Sequence, residues 1–380
     1  MNWDSIKFGD LYSEDSRNGL TKPSKVRGSG YKMINMGELF ANDRIYDIPM
    51  ELVPLKENEK KNAKVEKGDL LFARQSLVLE GAGKCSIVMD VSPLTVFESH
   101  LIRVRLDKTR ANPLFYYYYF KSPLSPVSTI VSQCAQAGIR GSDLQELYVF
   151  IPPLTTQNRI ADILTKYDDL IENNQKQIKL LEEAAQRLHK EWFVDLQFPG
   201  HENTEIVDGL PEGWSNAKVT DLLEIKYGKD HKALEEGDIP VYGSGGIMRK
   251  VQPVLYSGES VLIPRKGSLN NILFVEGDFW TIDTMFYSIP RLENVAKYAY
   301  LYLRGLDMYS FNIGAAVPSM TTKILSGMDI VLPSKQILQQ FEEQLSPVFA
   351  RMKCLEMQCE IAAEARDRLL PKLMSGEIEL

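Results

Sequence analysis

Apolar residues recur with a helical period in two long stretches of the chain. The first covers residues 155–195, where Ile160, Leu164, Tyr167, Ile171, Ile178, Leu181, Ala185, Leu188 and Trp192 follow one another at alternating spacings of four and three, with Asn174 filling the one gap. The second covers residues 336–375, with Phe341, Leu345, Val348, Met352, Leu355, Cys359, Ala362, Leu369 and Leu373, and with Arg366 in the series. A heptad pattern kept up over this length predicts coiled-coil seams. The two seams match position for position, Ile160 with Phe341, Ile171 with Met352 and Trp192 with Leu373. A helix of ~40 residues is about 60 Å long and cannot bury such a seam alone. Antiparallel pairing within the chain is the simplest expectation; packing of each seam on its own globular segment or on another subunit is the alternative. Pro347 predicts a bend early in the second helix, or a later start. Asn174 and Arg366 are polar seam residues, expected to fix register at some cost in stability.

Each helical stretch follows the same kind of strand. Val149-Phe150-Ile151-Pro152-Pro153 precedes the first and Ile330-Val331-Leu332-Pro333 the second, each an apolar strand ending in proline, which suits a turn into a helix. Further upstream, Gly68-Asp69-Leu70-Leu71-Phe72-Ala73-Arg74 resembles Gly258-Glu259-Ser260-Val261-Leu262-Ile263-Pro264-Arg265: a turn, an apolar strand, then an arginine. The predicted fold is α+β, a duplicated unit in which a strand-rich globular domain leads into a long helix. The expected boundaries are 1–150 for the first globular domain, 151–198 for the first long helix, 199–332 for the second domain and 333–380 for the second helix. Phe198-Pro199-Gly200-His201 breaks the first helix, and Gly209-Leu210-Pro211-Glu212-Gly213-Trp214 is a turn-rich start to the second domain.

Composition narrows the class. Hydrophobic residues at 44% and charged residues at 25% are those of an ordinary globular protein. No apolar run, residues 148–154 included, is long enough to span a bilayer, and Met1-Asn2-Trp3-Asp4 does not open a signal peptide. Four scattered cysteines suit reduced thiols and a cytoplasmic location. Recognisable catalytic chemistry is missing. Gly81-Ala82-Gly83-Lys84-Cys85 lacks the first glycine and the hydroxyl of a phosphate loop, the Gly243-x-Gly245 run is not a complete dinucleotide fingerprint, and the four histidines show no metal-ligand spacing. Cys359 lies in the second seam, where packing is expected rather than zinc. The net charge of −7 is unusual for a nucleic-acid binder. It is unevenly spread: residues 1–150 hold 20 basic and 18 acidic side chains, whereas residues 199–330 hold 12 and 17, so partners would have to supply much of any phosphate neutralisation.

Three strings carry a family resemblance. Ile151-Pro152-Pro153-Leu154-Thr155-Thr156-Gln157, Leu188-His189-Lys190-Glu191-Trp192-Phe193-Val194-Asp195 and Gly209-Leu210-Pro211-Glu212-Gly213-Trp214 resemble the hallmarks of the specificity (S) subunit of Type I restriction–modification systems, in the family's order and across the whole chain. Pro333-Ser334-Lys335-Gln336 departs from it in lacking the usual proline pair. The resemblance implies a non-catalytic chain with two target recognition domains, each reading one half of a bipartite double-stranded DNA site. It also implies that two methyltransferase (modification) subunits and a restriction subunit are directed by this chain. S-adenosylmethionine, ATP and Mg²⁺ would sit on those partners, with no cofactor, no metal and no membrane for this chain. A coiled-coil interaction scaffold without DNA reading is the competing interpretation, kept open by the acidic second domain.

Base contacts need Arg, Lys, Asn, Gln, Ser or Thr on loops that reach groove edges. In the first domain the candidates are Lys22, Lys25 and Arg27; Arg74, Gln75 and Ser76; and Gln136, Arg140 and Ser142. In the second they are Lys229, His231 and Lys232; Tyr242, Gly243 and Ser244 with Arg249; Arg265, Lys266, Ser268, Asn270 and Asn271; and Ser319, Thr321, Thr322 and Lys323. Arg74 and Arg265 stand out because they recur at equivalent points after a strand, and the glycines at 243, 245 and 246 are expected to let backbone approach a phosphate. If paired helices set the distance between the two half-sites, four residues inserted into one helix (about 6 Å) should lengthen the preferred spacer by roughly two base pairs. Mapping of methylated sites tests this, and an unchanged spacer counts against such a ruler.

Overall fold

The computed structural model describes residues 3–133 and 137–380. The chain forms two compact units, Met1–Asn173 with Gln358–Leu380 and Asn174–Met357, so each long helix gives one half to each unit.

In the first unit a five-stranded sheet runs in the order Tyr12–Asn18, Leu101–Leu106, Leu70–Ala73, Cys85–Val88, Arg44–Ile45. Leu70–Ala73 is buried at every position, as a continuous apolar run predicts for a strand covered on both faces. Glu51–Val53, Tyr31–Ile34 and Val96–Phe97 form a smaller sheet beside it. The helix Pro113–Lys121 starts where Asn112 accepts hydrogen bonds from Leu114 N and Phe115 N, with proline pre-set at the first position, and it buries all six aromatics from Phe115 to Phe120. Ser5–Lys7 pairs with Tyr148–Phe150, the strand that leads into the first long helix. Tyr116 fastens that strand by donating to the Phe150 carbonyl at 3.0 Å. Gln157 is fully buried at the helix start. Its amide nitrogen donates to Pro152 O at 2.9 Å and Arg110 O at 3.1 Å, and its oxygen accepts from Asn112 N at 2.8 Å.

The second unit repeats this plan. Its six-stranded sheet runs Leu223–Tyr227, Met285–Pro290, Tyr256–Pro264, Leu273–Thr281, Glu236–Gly243, Gly246–Val251. Ser215–Lys218 pairs with Asp329–Leu332, and Tyr298 donates to the Val331 carbonyl as Tyr116 does to Phe150. Val207 pairs with Leu210 around Asp208 and Gly209, both at positive φ, the two-residue turn that an Asp-Gly pair favours. Trp214 then packs on Phe193 and Phe198 at ring distances of 5.8 and 4.9 Å. Where Gln157 clamps the first helix, the second helix has Leu338, 2% exposed in the apolar cluster. The missing proline pair and the missing glutamine belong to one apolar solution of the same junction.

The long helices span Leu154–Phe193 and Lys335–Ser375. The second begins at Lys335, so the later start is not seen, and it stays helical through Pro347 and also Pro371. Pro347 and Glu343, whose carbonyl the proline leaves without a donor, are both exposed, so water can satisfy that carbonyl. Within the first unit the helix halves run antiparallel: Ile160 and Leu164 share an apolar cluster with Leu370, Leu373 and Met374, with Leu369 packed against it. Within the second unit they do so again, Trp192 and Phe193 meeting Phe341 at 5.5 and 4.7 Å beside Leu345, with Leu188 and Val348 against the cluster. Met352, Leu355, Ala185 and Ala362 are buried, and Tyr167, Ile171, Ile178, Leu181 and Cys359 are half-buried.

The polar seam residue Arg366 has a partner that its own helix does not reveal. Its guanidinium donates to Asp168, 2.5 Å away on the first helix, and the buried Asp168 also accepts from Tyr118 at 2.6 Å. The internal repeat places Phe349 where Asp168 stands, Ala185 where Arg366 stands and Tyr300 where Tyr118 stands. There the contact is aromatic, with Tyr300 and Phe349 rings 5.9 Å apart and nearly perpendicular. His189, 5% exposed, sits among Phe193, Tyr298 and Phe341, and its Nε2 has no hydrogen-bond partner among the described residues. Burial lowers its pKa from the usual value of 6.5 to about 4.

Two outcomes follow. Arg366→Ala leaves Asp168 buried without its cation and should cost about 3 kcal/mol; the exchange of both residues, Asp168→Phe with Arg366→Ala, should recover much of the loss. Urea unfolding checks this, and equal destabilisation by both variants would mean the ion pair is not the reason. His189 is neutral when folded, so its contribution is complete above pH 6.5 and fades as pH falls toward about 4. The loss amounts to about 3 kcal/mol at most. His189→Leu should flatten that part of the stability-versus-pH curve.

Candidate nucleic-acid interface

Arg74 and Arg265 occupy matching brackets in the two units. Each follows a buried strand, and each is held by the same pair of backbone hydrogen bonds. Arg74 N donates to His100 O at 2.8 Å and Arg74 O accepts from Ile139 N at 2.9 Å; Arg265 N donates to Thr284 O at 2.8 Å and Arg265 O accepts from Met320 N at 2.9 Å. The side chains match as well, Arg74 Nη1 lying 3.5 Å from Ser99 O and Arg265 Nη1 3.1 Å from Asp283 O. Among the described residues neither guanidinium forms an ion pair. A half-buried arginine with a fixed backbone, one carbonyl contact and no carboxylate keeps most of its five donors for an outside acceptor.

The residues beside each bracket are those of the candidate loops. In the first unit Gln75 and Ser76 pair with Gly138 and Ala137, which brings Arg140 and Ser142 alongside. Arg140 precedes the short helix Gly141–Gln145, and both it and Ser142 are exposed. Beyond Ser76 the loop shows Leu77 89% exposed, and Met36, Phe40, Gln75, Ser76, Leu77 and His100 line a cavity of about 360 Å³. In the second unit Lys266 bridges to Ser319, and Asn271 donates to Ser244 O at 2.9 Å. Thr321 caps the helix Thr322–Gly327, which carries Thr322 and the exposed Lys323. Asn270 is exposed but ties its loop to a distant segment, accepting from Met308 N at 2.8 Å and donating to Asp307 at 3.3 Å. Ser268 is exposed.

Several other candidates bond or pack within the protein, while Lys25, Lys229 and Lys232 are exposed. Arg27 pairs with Glu51 at 2.5 Å and donates to Lys22 O at 2.8 Å, and Lys22 pairs with Glu59 at 2.8 Å; Lys25 is exposed on the same turn. Tyr242 packs in an apolar cluster, its ring 6.2 Å from Phe279. Arg249 donates to Leu234 O and fastens the loop that holds His231, while Lys229 and Lys232 are exposed. The glycines around Ser244 make a hairpin turn: Gly243 pairs with Gly246 at φ +111°, and a Cβ on Gly243 would strike Met248. Gln136 lies outside the described residues. Lys84 of the phosphate-loop-like run donates to Phe40 O at 2.8 Å and pairs with Asp43 at 3.2 Å, which gives it a structural task. Among the described residues no group of three or more His, Cys, Asp or Glu side chains is arranged to hold a metal ion, and no helix is long and apolar enough to cross a membrane.

Sequence reasoning missed Tyr227. Its ring lies 5.4 Å from the Arg265 guanidinium carbon and its hydroxyl 3.5 Å from Thr322 Oγ1. The only signal in the sequence is an aromatic ending a strand just before Gly228-Lys229.

The chain spans nearly the full length of its relatives. It is 25% identical to the Type I restriction enzyme MjaIX specificity subunit of Methanocaldococcus jannaschii, with 100% of this chain and 94% of the relative covered. It is 22% identical to the Type I restriction enzyme HindI specificity subunit of Haemophilus influenzae, with 99% of each covered. The crystal structure of a Type I restriction–modification S subunit from M. genitalium shares its fold, with a TM-score of 0.63 at 19% identity over 98% of this chain and 96% of that one. The family described as the Type I restriction modification DNA specificity domain matches residues 1–183 and 211–359, and the chain belongs to it.

Proposed function

We propose that the globular part of each unit reads one half of a bipartite DNA site, with Arg74 and Arg265 as the central base-reading residues. The family's role is recognition of a DNA target, without catalysis. The observation that supports the finer reading is the matched bracket. An arginine with the same backbone hydrogen bonds, and with no carboxylate partner among the described residues, recurs in each repeat. Arginine is also the side chain whose fork fits guanine O6 and N7 in the major groove. Gln75, Arg140 and Ser142 in the first unit, and Ser244, Lys266, Asn271, Thr322 and Lys323 in the second, surround those arginines and supply further base and phosphate contacts.

The chain directs two methyltransferase subunits and a restriction subunit to the site. S-adenosylmethionine, ATP and Mg²⁺ belong to those partners. Its acidity of −7 agrees with this division, since a specificity subunit that borrows basic surface from its partners can carry few phosphate contacts itself. Sequencing of methylated positions in cells that carry this chain and its methyltransferase should show a split target. Arg74→Ala should relax one position in one half only, and Arg265→Ala one position in the other, each by about 1–3 kcal/mol of discrimination. Methylation of the unaltered set of sites at the unaltered rate in either variant would remove that arginine from the reading role.

A further inference from the structure

The two arginines share a backbone bracket but differ in what holds the side chain. Tyr227 ends the strand Leu223–Tyr227, where it pairs with Phe286. Its ring meets the Phe286 ring at 5.0 Å and 75°, and its hydroxyl is 3.5 Å from Thr322 Oγ1. The Arg265 guanidinium lies over this ring at 5.4 Å and also donates to Asp283 O at 3.1 Å. Aromatic ring and carbonyl together restrict where the guanidinium can lie. In the first unit the matching strand position is Asn18, opposite Ile102 as Tyr227 is opposite Phe286. Arg74 therefore has no ring at that position, and its carbonyl contact is the longer one at 3.5 Å.

We propose that Tyr227 is a positioning residue for Arg265, holding the guanidinium plane in one orientation so that the second domain discriminates its base more stringently than the first. This rests on Arg265 being a base reader. A bidentate contact needs the fork coplanar with the base, and a flexible arginine must give up side-chain freedom to reach that geometry. The cation–π contact with Tyr227 restricts that freedom before DNA arrives. Tyr227 is itself 52% exposed, so its π face is available to the guanidinium rather than buried in the core.

The test uses the chain assembled with its methyltransferase partner, and synthetic duplexes carrying the mapped target and its single-base-pair variants. Arg265→Ala first identifies the base pair that Arg265 reads. Tyr227→Ala and Tyr227→Leu should then lower discrimination at that same pair by roughly two- to five-fold, and Tyr227→Phe, which keeps the ring, should match the unaltered protein. Tyr227→Leu also keeps an apolar contact with Phe286, which separates positioning from loss of fold. Adding Tyr227→Ala to Arg265→Ala should cost no further discrimination. If Arg265→Ala relaxes a base pair and Tyr227→Leu does not, the positioning role is overturned while the base-reading role stands. A further loss from Tyr227→Ala in the Arg265→Ala background overturns it too, because the ring would then act on DNA directly. If Arg265→Ala relaxes nothing, base reading by Arg265 fails and the positioning role falls with it.

Discussion

Burial of the two heptad seams organises both units. A helix with apolar residues along one stripe and charge elsewhere is unstable in water until that stripe is covered. In each unit the cover comes from the other helix running antiparallel, and from the globular part beside it. Ile160 and Leu164 join the cluster that holds the aromatics of Pro113–Lys121, and Trp192, Phe193 and Phe341 join the cluster around Tyr298 and Leu301. The globular parts are tied to this base by short, specific devices. A two-stranded ribbon links the start of each domain to the strand before its helix, and a buried tyrosine bonds a carbonyl of that strand.

The internal repeat keeps geometry while exchanging chemistry. Gln157 becomes Leu338, and the ionic contact of Tyr118, Asp168 and Arg366 becomes the apolar contact of Tyr300, Phe349 and Ala185. Each exchange is complete. A buried carboxylate without its arginine would be costly, whereas Phe349 and Ala185 ask for nothing but packing and the Tyr300 hydroxyl bonds Arg304. The same logic accounts for His189, which stays neutral because its surroundings are aromatic and offer its Nε2 no partner.

The recognition surface has the opposite character. Arg74 and Arg265 are fixed through the backbone, so their side chains need no carboxylate to orient them. Arginines used within the fold show the contrast: Arg44, Arg103 and Arg105 are each paired with acidic neighbours. An acidic chain can therefore present selected basic groups outward where sheet geometry, rather than charge, holds them in place.

Much of the architecture was legible in the sequence, because periodicity reports directly which residues must leave water. The seams, the duplication, the strand before each helix and the equivalence of Arg74 with Arg265 all come from spacing alone. The course of the second helix across Pro347 was not legible, since it depends on Pro347 and Glu343 facing solvent. Nor could spacing separate Arg27 and Tyr242 from Arg265. All three lie near loops or strand ends, but Glu51 and Phe279 claim the first two through contacts between segments distant in the chain. The place of Tyr227 beneath Arg265, and of Asp168 beside Arg366, likewise required the fold. A local pattern determines which face is buried; which side chain a charged group meets across that face depends on the register of elements brought together only by folding.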